Sequence, residues 1–123
     1  MGWLSDQLGF YPVDCKSRQF ASVVCSVIGV TMKIDAIKEF IDERHSELEG
    51  WFFPADQIAF FELCALQERS KISGDLCEVG VYKGKSLVLL SMLKRETERL
   101  LGFDIFDEDH LESTQQSLLA FNA

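Results

Sequence analysis

The residues of this chain that are best suited to ligand chemistry are two glycines and an acid. Gly80 and Gly84 lie between two apolar runs, and Asp104 follows 20 positions after Gly84. Glycine adopts backbone conformations that other residues avoid, so it permits a sharp turn or a close approach of a ligand to the backbone. An acid ~20 residues beyond a glycine turn can accept hydrogen bonds from ribose hydroxyls. The pattern predicts a site for a nucleotide-type ligand.

A strand, a helix and a second strand must position these residues. Leu76–Val79 has the length and apolar character of a strand, residues 86–94 form an apolar run long enough for a buried helix, and residues 100–103 predict the next strand. In an open α/β sheet this order places a ligand at the carboxyl ends of the strands. The first amides and the positive dipole end of the helix face the same place, where an anionic group can bind.

The elements upstream are predicted to be mostly helical. Apolar side chains at helical spacing predict an amphipathic helix over residues 33–48. Pro54 suits the first turn of a second helix, which is expected to end within residues 69–73. Residues 20–32 are rich in Val and Ile, and this pattern fits either a buried strand or the first turns of a helix.

The chain is therefore divided into a mostly helical N-terminal extension, residues 1–49, and an α/β unit, residues 50–123. Within the extension, residues 1–18 have mixed polarity without a sustained period and are predicted to be irregular. The four cysteines form no C-x-x-C pair. Because Cys64 falls on an apolar helix face and Cys77 in a strand expected to be buried, the cysteines are interpreted as reduced core thiols of a cytoplasmic protein.

The composition excludes several classes of partner. The formal net charge of −8 argues against non-specific binding to nucleic acid or to an anionic membrane. The apolar run of residues 20–32 is shorter than the ~20 residues that a membrane-spanning helix needs. A hydrophobic fraction of 47% is ample for a folded core. We therefore expect a cytoplasmic protein that binds neither nucleic acid nor membrane.

Two familiar phosphate-binding patterns fit the glycine turn only in part. A dinucleotide site requires G-x-G-x-x-G, and the chain offers Gly80 and Gly84 with Tyr82 between them. A P-loop requires G-x-x-x-x-G-K-[ST]; residues 84–86 supply its ending, but Val79 stands where its first glycine belongs. The resulting loop is too short to wrap a phosphate chain with its amides.

A third pattern is E-x-G-x-x-x-G at the end of one strand with an acid at the end of the next, and residues 78–84 with Asp104 fit it without a gap. Here the sequence resembles the class I S-adenosylmethionine-dependent methyltransferases, most closely the macrocin O-methyltransferase-like branch. In that branch a G-W-x-x-P element precedes the first strand, as residues 50–54 do, and the strand motif tends to be E-x-G-V-x-x-G-x-S, as in residues 78–86. The resemblance extends over roughly residues 48–107, about half of the chain.

The resemblance implies a role for each residue of the turn. Gly80 would let the methionine part of S-adenosyl-L-methionine lie against the backbone, and Glu78 would orient that part through its amino group or an ordered water. Asp104 would hold the ribose hydroxyls. The turn over the cofactor would be formed by Tyr82, Lys83, Gly84 and Ser86. No residue is assigned to catalysis or to a metal.

The resemblance also implies a fold and a reaction. The fold is a Rossmann-like, seven-stranded, mostly parallel α/β sheet, of which this chain supplies the first two parallel strands and the intervening helix, preceded by helices. The reaction is methyl transfer to an oxygen of a small-molecule acceptor. We expect the chain to be the N-terminal portion of such a domain, inactive by itself, with a missing C-terminal half or a second copy as its partner. The alternative is a non-catalytic protein-interaction module derived from such a domain.

Overall fold

The computed structural model describes residues 8–13, 20–25 and 34–121. These residues form strands and helices joined by short connections, with a single 3₁₀ turn, Arg44–Glu47, after the first helix. In chain order the elements are β1 (Leu8–Val13), β2 (Phe20–Cys25), α1 (Ile34–Asp42), α2 (Pro54–Arg69), β3 (Leu76–Val79), α3 (Lys85–Leu93), β4 (Leu100–Asp104) and α4 (Glu108–Phe121).

The described strands form one mixed sheet in the order β1-β2-β4-β3. Strands β3 and β4 are parallel, with Leu76 opposite Leu100 and Val79 opposite Phe103. Helix α3 connects them, so the predicted strand–turn–helix–strand unit is confirmed. The chain is thus a small α/β protein with two parallel strands in its sheet.

The N-terminal part of the sheet differs from the prediction. Residues 8–13, predicted to be irregular, form β1, which pairs with β2 in an antiparallel hairpin. Strand β2 then pairs antiparallel with β4, with Ala21 opposite Asp104. Residues 20–32 were predicted to be either a strand or the start of a helix, and Phe20–Cys25 is a strand. Residues 26–32 lie outside the described part. The extension predicted to be mostly helical therefore contributes two strands to the sheet: β2 pairs with β4, and β1 pairs with β2.

Both helices that precede the parallel pair were predicted from the sequence, but α1 is shorter than predicted. Helix α1 ends at Asp42, earlier than the predicted residue 48, and buries Ile37, Phe40 and Ile41. Helix α2 begins at Pro54 as predicted, and its Asp56 carboxylate accepts a hydrogen bond of 3.3 Å from the Phe53 N–H. This contact satisfies a backbone donor at the helix start, where negative charge is also favourable.

Helix α3 forms the centre of the core. All residues from Leu87 to Leu93 are buried, because α3 packs against β4 on one side and against α1, α2 and α4 on others. The close fit to the sheet depends on Gly102, where a Cβ atom would lie 3.0 Å from Val81 Cγ2 and 3.1 Å from Leu87 Cδ2. The buried helix therefore holds the turn that precedes it in a fixed place.

The opposite face of β3 is not covered by described residues. Val79 is 82% exposed and Cys77 is also exposed, while Cys64 on α2 is half-buried. The prediction that Cys77 lies in a buried strand is therefore wrong. The physical reason is that alternate side chains of β3 project from a face of the sheet on which no described helix packs.

Among the described residues, no helix has the length and apolar character that crossing a membrane requires.

Candidate functional site

The turn between β3 and α3 contains three residues with positive φ. These are Gly80 (φ 91°), Tyr82 (φ 53°) and Gly84 (φ 87°). Glycine adopts such angles readily, whereas a tyrosine does so only where its surroundings compensate for the strain. The turn therefore needs external contacts to hold its shape.

Gly80 and Gly84 serve different purposes in this turn. A Cβ atom on Gly80 would meet no heavy atom within 4 Å, so the backbone here faces open space. A Cβ atom on Gly84 would lie 3.0 Å from Thr114 Cγ2, so this glycine lets α4 pack against the turn. Gly84 also precedes the first residue of α3, and its carbonyl accepts a hydrogen bond of 2.8 Å from the Val88 N–H. Only Gly80 leaves room for a ligand against the backbone.

Asp104 stabilises the strained residue of the turn. Its Oδ2 accepts a hydrogen bond of 2.5 Å from the Tyr82 N–H, and Thr114 Oγ1 donates a bond of 3.2 Å to the Tyr82 carbonyl. Both backbone groups of Tyr82 are therefore satisfied by side chains. Within the described part of the chain no donor bonds to Asp104 Oδ1, which leaves that oxygen available to a ligand.

Glu78 lies behind the turn and is hydrogen-bonded to Ser86 of α3. Its Oε1 accepts a hydrogen bond from the Ser86 hydroxyl, while Oε2 is buried and accepts none from any described residue. Burial raises the pKa of Glu78 to about 7, the nearby charge of Asp104 adds to this effect, and the Ser86 bond opposes it. A buried carboxylate oxygen without a donor is costly, and a cationic ligand group would satisfy it.

A cleft of ≈ 300 Å³ opens beside the turn. One wall is the segment of residues 49–52 that leads into α2, and the other consists of residues 80–82 with Lys85 and Ser86. This volume is at the lower end of the range of ~300–1,000 Å³ that is usual for small-molecule sites. The cleft is therefore large enough to hold part of a nucleoside-sized ligand.

The two walls of the cleft are tied together by Glu49. Its Oε1 accepts a hydrogen bond of 2.8 Å from the Tyr82 hydroxyl, and its Oε2 forms an ion pair with the Lys83 ammonium group. Lys85 Nζ adds a hydrogen bond of 3.2 Å to the Gly50 carbonyl. The bond from Lys83 is the main cause of a lowered Glu49 pKa. The carboxylate therefore stays ionised and holds both walls at neutral pH.

The predicted site residues come together in one region, at different depths. Gly80, Tyr82 and Ser86 line the cleft directly. Glu78 and Asp104 lie behind them, connected through Ser86 and Tyr82 respectively.

Besides Glu78 and Asp104, two further predicted members of the site do not line the cleft. Lys83 is on the rim, where it pairs with Glu49, and Gly84 is packed against Thr114. Sequence reasoning gave no role to Glu49, and it noted Trp51 only as part of the G-W-x-x-P element. No local sequence pattern indicates a role for Glu49, because its partners lie 33 and 34 positions further along the chain.

Among the described residues, no three His, Cys, Asp or Glu side chains are grouped as metal ligands. Comparison with protein-family models, with curated proteins and with solved structures finds no match to this chain. The interpretation of the site therefore depends on its own geometry and on the sequence pattern that predicted it.

Proposed function

We propose that this chain binds S-adenosyl-L-methionine in the turn between β3 and α3, as the Rossmann-like class I methyltransferases do. The observation that supports this most is the buried Glu78 Oε2, which has no described donor, close to the bare backbone of Gly80. The first feature suits a cationic amino group and the second a ligand that lies against the main chain. S-adenosyl-L-methionine has both an amino group and a chain that could lie there.

Three residues of the site each fit one part of the cofactor. Glu78 would accept a hydrogen bond from the amino group, and Gly80 would provide the surface against which the methionine part lies. Asp104 would use Oδ1 for the ribose hydroxyls while Oδ2 remains bonded to Tyr82. When bound, the cofactor supplies a methyl group on a sulfonium centre that a nucleophilic oxygen can attack. The acceptor is a small molecule, and the location is the cytoplasm.

The arrangement of charges favours this ligand over a nucleotide polyphosphate. Two carboxylates, Glu78 and Asp104, lie at the turn and are close enough for Asp104 to raise the pKa of Glu78. A polyphosphate would bring further negative charge to the same place, which is unfavourable. Lys85, which a P-loop would use to bind phosphate, donates instead to the Gly50 carbonyl. The P-loop and dinucleotide alternatives are therefore the weaker proposals.

A non-catalytic interaction module remains the second candidate, and it has an observation of its own. Apolar side chains are exposed on the uncovered face of β3 and along the outer side of α2. Exposed apolar surface of this kind is typical of surfaces that bind another protein or a second copy of the same chain. On α2 and β3, the apolar side chains with more than half of their surface exposed are Ile58, Leu63, Leu66 and Val79.

Isothermal titration calorimetry with S-adenosyl-L-methionine tests the proposal. Binding to the chain is expected, with a loss of about ten-fold or more for Glu78→Gln and Asp104→Ala, because each loses a charge-assisted contact. Glu62→Gln, which removes a carboxylate from the exposed side of α2, is the matched control and should bind as the parent chain does. Equal affinity in all four proteins would refute the site. No binding by the parent chain, together with dimerisation that Asp104→Ala leaves unchanged, would favour the interaction module.

A further inference from the structure

Trp51 is the most exposed large apolar side chain among the described residues, and it lines the cleft. Its exposed fraction is 93%. Tryptophan is on average a well-buried residue, so an indole left almost entirely in solvent beside a cavity calls for an explanation. Nothing in the core requires Trp51, since its neighbour Phe52 supplies the packing on this segment.

The backbone of Trp51 is held firmly on both sides, although its side chain is free. Phe52 is buried and packs edge-to-face on Phe60 at 5.2 Å between ring centroids, and its carbonyl accepts a hydrogen bond of 2.8 Å from Gln57 Nε2. On the other side, Glu49 accepts a hydrogen bond from Tyr82 in the turn, and the Gly50 carbonyl accepts one from Lys85 at the start of α3. The indole is therefore presented from a fixed position at the cleft. Contact with a ligand therefore has to order only the side-chain torsions of Trp51 and not its backbone.

The electrostatics of the cleft indicate what kind of ligand group an indole would meet there. Glu78 and Asp104 lie behind the opposite wall, and Glu78 has an unsatisfied buried oxygen. The face of an indole ring attracts cations, and tryptophan is the strongest of the aromatic side chains in this respect. Lys85 also lines the cleft, but its ammonium group donates to the Gly50 carbonyl. With an exposed indole on one wall and two acids behind the other, the site is suited to a positively charged ligand.

We propose that Trp51 determines specificity for charge: it contacts the sulfonium end of the bound cofactor and distinguishes the cationic methyl donor from its neutral thioether product. This inference rests on the proposed function. Loss of the methyl group converts the sulfonium to an uncharged thioether, so the contact with the indole face weakens once the methyl group has been transferred. Trp51 would thus favour binding of the donor and release of the product.

Phe53 provides a matched control on the same segment. It is also an exposed aromatic residue, with 64% of its surface accessible, but it does not line the cleft. Phe53→Ala therefore removes a similar amount of exposed aromatic surface without changing the site. Because both side chains are exposed, neither Trp51→Ala nor Phe53→Ala is expected to disturb folding.

The test measures Kd for S-adenosyl-L-methionine and for S-adenosyl-L-homocysteine by calorimetry, in the parent chain, Trp51→Ala, Trp51→Phe and Phe53→Ala. We expect Trp51→Ala to weaken binding of the cationic ligand roughly 3- to 10-fold more than binding of the neutral one. Trp51→Phe should recover part of the difference, and Phe53→Ala should match the parent chain. An equal loss for both ligands, or no loss, in Trp51→Ala would overturn the inference while the proposed function stands. If the parent chain bound neither ligand, both proposals would fall.

Discussion

The Tyr82 N–H donates a hydrogen bond of 2.5 Å to Oδ2 of Asp104, 22 positions further along the chain. This contact joins the turn after β3 to the end of β4. It shows that the acid predicted to bind ribose also has a structural task, because it stabilises a tyrosine with φ of 53°. The proposed function therefore assigns structure and ligand binding to different oxygens of one carboxylate.

Replacement of Asp104 should separate these two tasks. Asp104→Ala removes both oxygens and is expected to lower the free energy of unfolding by about 1–3 kcal/mol, because the Tyr82 N–H loses a charged acceptor. Asp104→Asn keeps one carbonyl oxygen for Tyr82 and should cost less than half as much. Urea unfolding followed by circular dichroism measures both values. Equal destabilisation by the two substitutions would show that the Tyr82 bond does not depend on an acceptor at this position.

The stability of the folded chain should depend on pH through Glu78. Its pKa is raised from 4.5 to about 7 on folding, so the protonated form is favoured in the folded state. The resulting stabilisation is complete below about pH 4.5 and is lost as the pH rises through about 7. The loss from this residue is up to about 3 kcal/mol.

Glu78→Gln is the variant that tests this pH dependence, since glutamine cannot ionise but can still accept the bond from Ser86. Urea unfolding at a series of pH values should show the parent chain losing stability relative to Glu78→Gln between about pH 5 and pH 8. The variant is expected to be the more stable protein above about pH 7. Parallel pH profiles for the two proteins would mean that Glu78 keeps an ordinary pKa in the folded chain.

The two glycines of the turn should respond differently to alanine. Gly84→Ala is expected to destabilise the chain by about 2 kcal/mol or more, because it combines a positive φ with a Cβ atom 3.0 Å from Thr114. Gly80→Ala should cost only about 1 kcal/mol, from its φ alone, since its Cβ would meet nothing within 4 Å. Thermal unfolding of both variants measures the difference. In cofactor binding the order should reverse among folded proteins, with Gly80→Ala the more defective.

Glu49 is expected to matter for the shape of the cleft more than for global stability. Its side chain is exposed, and exposed ion pairs contribute little to folding. Glu49→Gln should therefore leave the melting temperature nearly unchanged while it shifts the amide resonances of residues 80–86 and weakens cofactor binding a few-fold. Glu47→Gln, which removes an exposed ion pair with Arg44 outside the cleft, is the control. If Glu49→Gln left the amide resonances of the turn unchanged, this would contradict the proposal that Glu49 holds the two walls of the cleft together.

The parts of the fold that the sequence predicted well are those set by local pattern. Leu76–Val79 and α2 match closely because an apolar run, a following glycine and an N-terminal proline are all short-range signals. Strand β1 was not predicted, and β2 was only one of two alternatives for its segment. A Val-rich run becomes a strand only where the edge of another strand is available for pairing, and for β2 that edge belongs to β4. The exposure of Cys77 was missed for a related reason, since burial depends on which elements cover the sheet.

The candidate site was predictable to a similar extent. The glycine pattern after the first strand and the spacing from Gly84 to Asp104 singled out Gly80 and Asp104, because their positions follow from the order of the elements, whereas their roles came from the family resemblance. The contribution of Glu49 could not be foreseen, since its contacts with Tyr82 and Lys83 arise only when the segment before α2 folds over the turn. Trp51 was visible as a motif residue, but its position at the cleft depends on the burial of Phe52.

The most direct test of the central claim is an amide proton–nitrogen NMR titration of the chain with S-adenosyl-L-methionine. Saturable shifts confined to residues 78–86, Asp104 and the segment of residues 49–52 are the expected result, because these groups surround the cleft. A dispersed spectrum that millimolar cofactor leaves unchanged, or shifts located elsewhere in the chain, would contradict the assignment of this turn as a cofactor site.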